Sequence, residues 1–270
     1  MGFWKRIVAG GIVILCCSAC STGTTEGSSP DPTVKASPTQ VSKNPPSAER
    51  DVSTSPADVS SSPEASRDSQ ASFDPISLHV LVNKQHGLEV EDFEPPDLVA
   101  LDVPQQYGGQ QLREEAAAAL EELVVEAAED GIDLWVTTAY RDFEHQRALY
   151  EQRYAAGGQE AADELTARPG FSEHQTGLAV DMSFEGNTDC NLRACFADTD
   201  QGEWLAEHAA RFGFIIRYPE GAEPITGYSY EPWHLRYVGE ATAQEVTEQE
   251  VTLEEYWGQP PAPDYTQDYR

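Results

Sequence analysis

Two short stretches of the 270-residue sequence place imidazole and carboxylate side chains close together. The first is Phe171–Asp181 (FSEHQTGLAVD), and the second is Tyr230–Leu235 (YEPWHL). A hydrolytic zinc site needs three nitrogen or oxygen ligands and one open position for water, and two histidines with one carboxylate meet that need. We therefore expect His174, Asp181 and His234 to bind a metal ion.

A second carboxylate stands beside the later histidine. Glu231 lies three residues before His234, and Pro232 between them disfavours a helix interior. The pair is therefore expected on a loop that enters a strand, where Glu231 can act as a base for water at the metal. Non-haem iron is the alternative, since it also uses two histidines and one carboxylate. No metal role is assigned to the other four histidines, which are His79, His86, His145 and His208.

The elements that must position these residues are mixed in type. Apolar residues recur at helical spacing over residues 111–130, and Gly131 stands where a C-cap belongs. The other helices are predicted at 142–156, with Asp142 as the cap, and at 159–166, 202–211 and 241–257. The strands are predicted at 134–139, 178–182, 214–218 and 234–238. Without regular alternation, this order favours an α+β fold: one compact domain with a small, mainly antiparallel sheet, helices flanking it and the zinc site at the sheet.

The N-terminus resembles an export signal. A short positive segment precedes an apolar run that is too short to span a bilayer, and small residues before Cys20 resemble the cleavage box of bacterial lipoproteins. We predict a lipoprotein-type signal over 1–20 with Cys20 lipidated, a disordered Ser/Pro/Thr-rich tether over 21–72, a domain over 73–258 and a flexible tail over 259–270. An ordinary cleaved signal or an uncleaved anchor is the alternative, and each places the domain outside the cytoplasm.

Charge and cysteine usage restrict the partners. The formal net charge of −30 argues against a nucleic-acid partner, since phosphate binding needs a basic surface. Cys190 and Cys195 are expected to pair in an oxidising compartment. So short a loop adds only about 2 kcal/mol of stability. A metal role for these cysteines is the alternative, but two isolated thiols lack further ligands.

The stretch SEHQTGLAVD with the later EPWH resembles the zinc D-alanyl-D-alanine carboxypeptidases of the VanY type, in the group that also holds VanX-like dipeptidases. The resemblance extends over about residues 78–257, with supporting matches at Leu81–Lys84, Ala139–Arg141, Gly213–Pro219 and Leu253–Tyr256. Two positions depart from the pattern, because Ala139 replaces a frequent Gly and Asp142 a frequent Ser.

The resemblance implies a role for each site residue. One Zn2+ per chain would be bound by His174, Asp181 and His234. Glu231 would be the catalytic base, and Arg141 would stabilise the oxyanion that forms in the transition state. Two further positions, Ser172 and Gln146, match residues that line the substrate cleft. The alternatives are that Ser172 only braces its loop and that Gln146 is a solvated helix residue.

The implied activity is hydrolysis of the terminal D-alanine of peptidoglycan stem peptides by a monomer that is lipid-anchored at the cell membrane and faces the wall. Endopeptidase or D,D-dipeptidase activity of the same fold is one alternative. A noncatalytic, metal-containing wall-binding module is another, although such a module would need neither Glu231 nor Arg141.

Overall fold

The computed structural model describes residues 70–269. The predicted signal, Cys20 and the tether as far as residue 69 lie outside the described residues. The strands are β1 (Leu98–Ala100), β2 (Gln111–Arg113), β3 (Trp135–Thr138), β4 (Ala179–Ser183), β5 (Phe214–Ile216) and β6 (His234–Tyr237). The α-helices are α1 (Glu114–Glu129), α2 (Phe143–Leu165), α3 (Asp200–His208), α4 (Glu223–Thr226), α5 (Glu240–Glu248) and α6 (Leu253–Tyr256). Short 3-10 helices cover Glu173–Thr176, Ala194–Asp198 and Ala209–Phe212.

A four-stranded sheet in the order β3-β4-β6-β5 lies at the centre, and every neighbouring pair in it is antiparallel. The strands β1 and β2 form a separate antiparallel pair. Helices flank the sheet, so the predicted α+β fold is confirmed. None of the described helices combines the length and the apolar composition that crossing a bilayer requires.

The two faces of the sheet differ in polarity, because successive side chains along a strand point to opposite faces. One face is apolar and contributes Val180, Met182, Leu235 and Tyr237 to the core, which also includes the buried stripe of α1. The opposite face carries Asp181 on β4 with His234 and Arg236 on β6, all of them buried. A polar site is therefore built directly on the back of the hydrophobic core.

Two predicted helices are wrong at their bounds. The residues 111–113 form β2, since Arg113 is extended and Leu112 pairs with Val99 of β1, so α1 begins only at Glu114. The predicted closing helix over 241–257 is two helices, α5 and α6. Glu250 takes a positive φ of 52° between them, and Thr252 starts α6 with a capping box.

Helix α2 begins and bends where the sequence predicts. The Asp142 carboxylate accepts a hydrogen bond from the backbone N–H of His145 at 2.8 Å, which is N-cap geometry. The helices predicted at 142–156 and 159–166 join at Gly158, whose φ of 81° interrupts the helix. Glycine adopts this conformation without a steric penalty.

The flexible tail predicted after Gly258 is wrong for residues 259–269, which pack on the domain. Ala262 is fully buried, and the Tyr265 hydroxyl accepts the backbone N–H of Arg168 at 2.9 Å. The ring of Tyr269 lies 4.5 Å from that of Tyr150. These aromatic contacts hold a segment whose Pro-rich, polar composition predicts a flexible chain.

The boundary at the other end also differs slightly. Ser72, assigned to the tether, exchanges backbone hydrogen bonds with His79 and Leu81 at 2.9 and 2.8 Å. The predicted disulfide between Cys190 and Cys195 is confirmed, with the Cα atoms 5.3 Å apart.

Candidate metal centre

Cross-strand pairing brings the predicted ligands together. Asp181 on β4 and His234 on β6 are register partners in the sheet. His174 comes from the 3-10 helix that precedes β4, and one ligand atom from each of the three residues lies within 4.8 Å of the others. All three side chains are at least 93% buried. The sequence prediction that these side chains converge is therefore met by the geometry.

The turn at Gly177 makes this convergence possible. Gly177 has a φ of 66°, and a Cβ there would lie 2.9 Å from Leu98 Cδ2. His174 is held on both sides: its Nδ1–H donates to the Ala139 carbonyl at 2.8 Å, and its own carbonyl accepts the Arg141 backbone N–H at 3.1 Å. Its Nε2 is thereby left free to coordinate a metal.

The donor set fits zinc. His174 Nε2 lies 3.3 Å from Asp181 Oδ2, and His234 Nδ1 lies 2.9 Å from Asp181 Oδ1. Ligands at the usual zinc distances of about 2.0–2.1 Å in a tetrahedron are separated by roughly 3.3 Å. The two imidazole rings stand perpendicular, with centroids 5.0 Å apart, so both nitrogens can face one ion. His174 would coordinate through Nε2 and His234 through Nδ1.

Burial and the neighbouring charges shift the pKa values of the three ligands in opposite directions. Burial lowers the pKa of His174, which favours the neutral, metal-binding form, although Asp181 acts against it. Burial also acts to lower the pKa of His234, but the hydrogen bond with Asp181 and the nearby Glu173 carboxylate raise it to about 9. Burial would raise the pKa of Asp181, yet the two histidines hold it well below its usual range. Metal binding would therefore release a proton from His234.

Glu231 lies at the edge of this cluster, with its Oε2 3.9 Å from His234 Nδ1 and its side chain 22% exposed. Its backbone N–H donates to the Tyr218 carbonyl, which fixes the loop before β6. Burial raises the pKa of Glu231 to about 7, with Asp181 acting in the same direction and His234 and Arg141 against it. A bound dication would lower this pKa and favour the ionised base.

Arg141 and Gln146 form a pair in the cleft wall. The Arg141 guanidinium donates to Gln146 Oε1 at 2.8 Å, and the Gln146 amide donates to the Ala167 carbonyl at 2.6 Å. Gln146 is 1% exposed, so the alternative of a solvated helix residue is wrong. Ser172, also buried, lines the same cleft. Gln146 thus holds Arg141 toward the metal cluster.

An open cleft of about 400 Å³ gives access to the site. Its walls include the metal cluster with Glu231, Arg141 and Gln146, and its rim includes Leu192 from the disulfide loop. Leu192 is 40% exposed and has a φ of 52°. A peptide chain end entering this cleft would reach Glu231 and the ligands together.

The sequence reasoning missed a buried ion network behind the ligands. Glu173 accepts hydrogen bonds from Arg217 at 2.9 Å and from Arg236 at 2.7 Å, and Arg217 also pairs with Glu254 at 2.6 Å. Burial would raise the pKa of Glu173, but the two arginines hold it well below its usual range. No local pattern marks this network, because its members come from separate elements.

The residues without an assigned metal role lie elsewhere. His145 is exposed and pairs with Asp142, while His208 Nδ1 lies 2.9 Å from the Trp204 carbonyl. Cys190 and Cys195 are bonded to each other, which removes the alternative of a thiolate metal site. Within residues 70–269, His174, Asp181 and His234 are the cluster found with metal-binding geometry.

Comparison with known proteins finds carboxypeptidases among the proteins that this chain resembles. The family model VanY, described as D-alanyl-D-alanine carboxypeptidase, matches residues 109–240. VanXYC of Enterococcus gallinarum, a bifunctional D-Ala-D-Ala dipeptidase and D-Ala-D-Ala carboxypeptidase, is 39% identical over 178 residues, covering 65% of this chain and 91% of that protein.

Two solved structures share the fold. The LdcB LD-carboxypeptidase superposes with a TM-score of 0.65 at 40% identity, covering 69% of this chain and 88% of that one. A variant of the VanY D,D-pentapeptidase from the VanB-type resistance cassette, in complex with Zn(II), gives a TM-score of 0.56 at 33% identity, covering 68% of this chain and 99% of that one.

The fold and the buried ligand cluster define a zinc metallopeptidase of the carboxypeptidase class. Since this chain is 39% identical to VanXYC over 91% of that protein, it belongs to the VanY family of D-alanyl-D-alanine carboxypeptidases. The resemblance read from SEHQTGLAVD and EPWH is confirmed.

Proposed function

We propose that this protein removes the terminal D-alanine from peptidoglycan stem peptides, with one Zn2+ per chain held by His174, Asp181 and His234. The observation that carries the proposal is the placement of these ligands, Glu231 and Arg141 around one open cleft. A noncatalytic wall-binding module would need neither Glu231 nor Arg141 aimed into the cleft.

The side chains divide the chemistry among themselves. When bound, zinc supplies a Lewis acid and an activated water. Glu231 accepts a proton from the attacking water and later delivers it to the leaving amine, as a general base must when the bond breaks. The Arg141 guanidinium donates hydrogen bonds to the oxygen that gains charge in the transition state. Gln146 keeps that guanidinium in place.

The similar proteins differ in the bond that they cleave, so the choice between D,D and L,D specificity is left to experiment. VanXYC acts on D-Ala-D-Ala, whereas LdcB is an LD-carboxypeptidase. A stem pentapeptide ends in a D,D bond, and the tetrapeptide left by its cleavage ends in an L,D bond. L,D-carboxypeptidase activity is therefore the second candidate, favoured by the fold similarity to LdcB.

Product analysis tests the proposal. Zinc-loaded protein is incubated separately with stem pentapeptide, stem tetrapeptide, D-Ala-D-Ala dipeptide and intact sacculi, and the products are measured by mass spectrometry. We expect the pentapeptide to lose one D-alanine and the tetrapeptide to persist. Cleavage of the tetrapeptide alone would establish the L,D candidate, and cleavage of the dipeptide or within the stem would establish the dipeptidase or endopeptidase alternative. No cleavage by zinc-loaded protein would refute the enzyme assignment.

The assignment of Arg141 predicts a separate kinetic effect. Arg141→Ala should lower kcat by about 10²- to 10³-fold, which is typical for loss of one oxyanion donor. Arg141→Lys should recover only part of the loss, because an ammonium lacks the planar fork of donors. Bound zinc, measured by elemental analysis, should not change. The exposed Arg147→Ala is the control, and an equal loss of kcat there would contradict the role of Arg141.

We also propose where the enzyme acts. A lipid on Cys20 would hold the protein on the outer side of the membrane, and residues 21–69 would let the domain reach nearby wall as a monomer. Cys20→Ala should abolish the attachment of a metabolically labelled fatty acid to the protein, and labelling equal to that of wild type would contradict this lipid anchor.

A further inference from the structure

Two buried polar atoms behind the metal cluster face each other. Glu173 Oε2 and His234 Nε2 lie 3.6 Å apart, and among residues 70–269 both are buried without another hydrogen-bond partner. Buried polar groups are nearly always paired, so two orphans at this distance are notable. A small rotation of either side chain would make a hydrogen bond of ordinary length.

The other carboxylate oxygen of Glu173 is already committed. Its Oε1 accepts from Arg217 Nε at 2.9 Å and from Arg236 Nη1 at 2.7 Å. These donors come from the segment after β5 and from β6, so they anchor one oxygen of the carboxylate and leave the other pointing away from the two arginines. Oε2 is therefore aimed at His234 Nε2 by contacts that do not depend on a metal.

The direction of the hydrogen bond follows from the chemistry of both partners. An ionised carboxylate can only accept, so Nε2 of His234 must carry the proton. A neutral imidazole protonated at Nε2 presents a lone pair at Nδ1, the nitrogen that lies 2.9 Å from Asp181 Oδ1 at the cluster. A metal-binding histidine commonly has its other ring nitrogen held by a carboxylate in this way.

We propose that Glu173 is a positioning residue for the metal: it holds the proton of His234 on Nε2 and thereby keeps Nδ1 free to coordinate. This inference rests on the proposed ligand role of His234. It assigns Glu173 a function besides its place in the ion network with Arg217, Arg236 and Glu254.

Glu173→Gln tests the proposal because it changes which atom faces the histidine. The amide oxygen must face the two guanidinium groups, since an NH2 there would set donor against donor. The NH2 then faces His234 Nε2, which becomes an acceptor, and the ring proton moves to Nδ1. We expect the Kd for Zn2+, measured by competition with a chromophoric chelator, to rise about 10- to 100-fold.

Glu254→Gln is the matched control. It removes one carboxylate from the same network, where Glu254 accepts hydrogen bonds from Arg217 at 2.6 and 2.9 Å and from Asn83 at 3.1 Å rather than facing His234. A purely structural role for Glu173 predicts that both variants lose thermal stability and change the Kd for Zn2+ alike. The proposed role predicts that the Kd of Glu254→Gln stays within about threefold of the wild-type value while that of Glu173→Gln rises. Equal Kd values in the two variants would overturn it.

A measurement on the unaltered protein covers the case in which Glu173→Gln does not fold. Long-range 1H–15N correlation spectra of the zinc-loaded protein should show His234 protonated at Nε2 and coordinated through Nδ1. Coordination through Nε2 would overturn the proposal. If the wild-type protein binds no zinc, the ligand assignment itself fails and this inference falls with it. The remaining outcome is that the wild-type protein binds Zn2+ tightly and releases D-alanine while the Kd for Zn2+ of Glu173→Gln stays unchanged. That result would refute the positioning role of Glu173 and leave the proposed function intact.

Discussion

Glu231→Gln is expected to bind zinc as the wild-type protein does and to release D-alanine about 10²- to 10⁴-fold more slowly, the range for loss of a general acid–base group. The amide keeps the shape of the side chain but cannot take a proton from water. Glu231 lies beside the cluster, 3.9 Å from His234 Nδ1, and is not one of its three ligands, so the ion should remain.

The measurement pairs steady-state release of D-alanine from a pentapeptide with zinc content per chain. Glu220→Gln is a suitable control, since Glu220 is an exposed glutamate in the chain segment between β5 and β6. Activity in Glu231→Gln close to that of the control would remove Glu231 from the mechanism. Loss of zinc together with activity would instead make Glu231 a ligand.

Local sequence patterns were sufficient to predict the ligand cluster that the fold brings together. His174 and Asp181 are separated by a single turn at Gly177, and Glu231 and His234 by a proline-containing loop, so each half could be assigned from its own residues. The turn at Gly177 could be predicted because residues other than glycine rarely adopt a positive φ. The N-cap at Asp142 could also be predicted, because a short carboxylate side chain accepts hydrogen bonds from the free backbone N–H groups at a helix start.

Partners that are distant in sequence could not be assigned. Glu173 meets Arg217 and Arg236 across 44 and 63 residues, and only the packing of separate elements in the fold brings them together. Its neighbour His174 fits a metal-ligand pattern, whereas a glutamate at position 173 fits no pattern that indicates a role. The break before α6 was visible in principle, because Thr252 and Glu255 have the spacing of a capping box. The predicted flexible tail is wrong for residues 259–269 because composition does not show where Tyr265 and Tyr269 dock.

Asp181→Asn should lose both zinc and activity. Asp181 presents one oxygen to each histidine, at 3.3 Å from His174 Nε2 and 2.9 Å from His234 Nδ1. An amide offers one neutral oxygen and places an NH2 group where the second oxygen stood. The Kd for Zn2+ should therefore rise by more than the roughly 100-fold that loss of a supporting contact produces.

Metal removal and restoration test whether the loss of activity follows from the loss of the metal. Wild-type protein treated with a chelator should lose D-alanine release and recover it when one equivalent of Zn2+ is restored, whereas Asp181→Asn should stay inactive at the same concentration. The exposed Asp92→Asn should behave as wild type. Recovery with iron but not zinc would favour the iron alternative. Stoichiometric zinc in an active Asp181→Asn protein would mean that the two imidazoles hold the ion without the Asp181 carboxylate. Asp181 would then not be a required metal ligand.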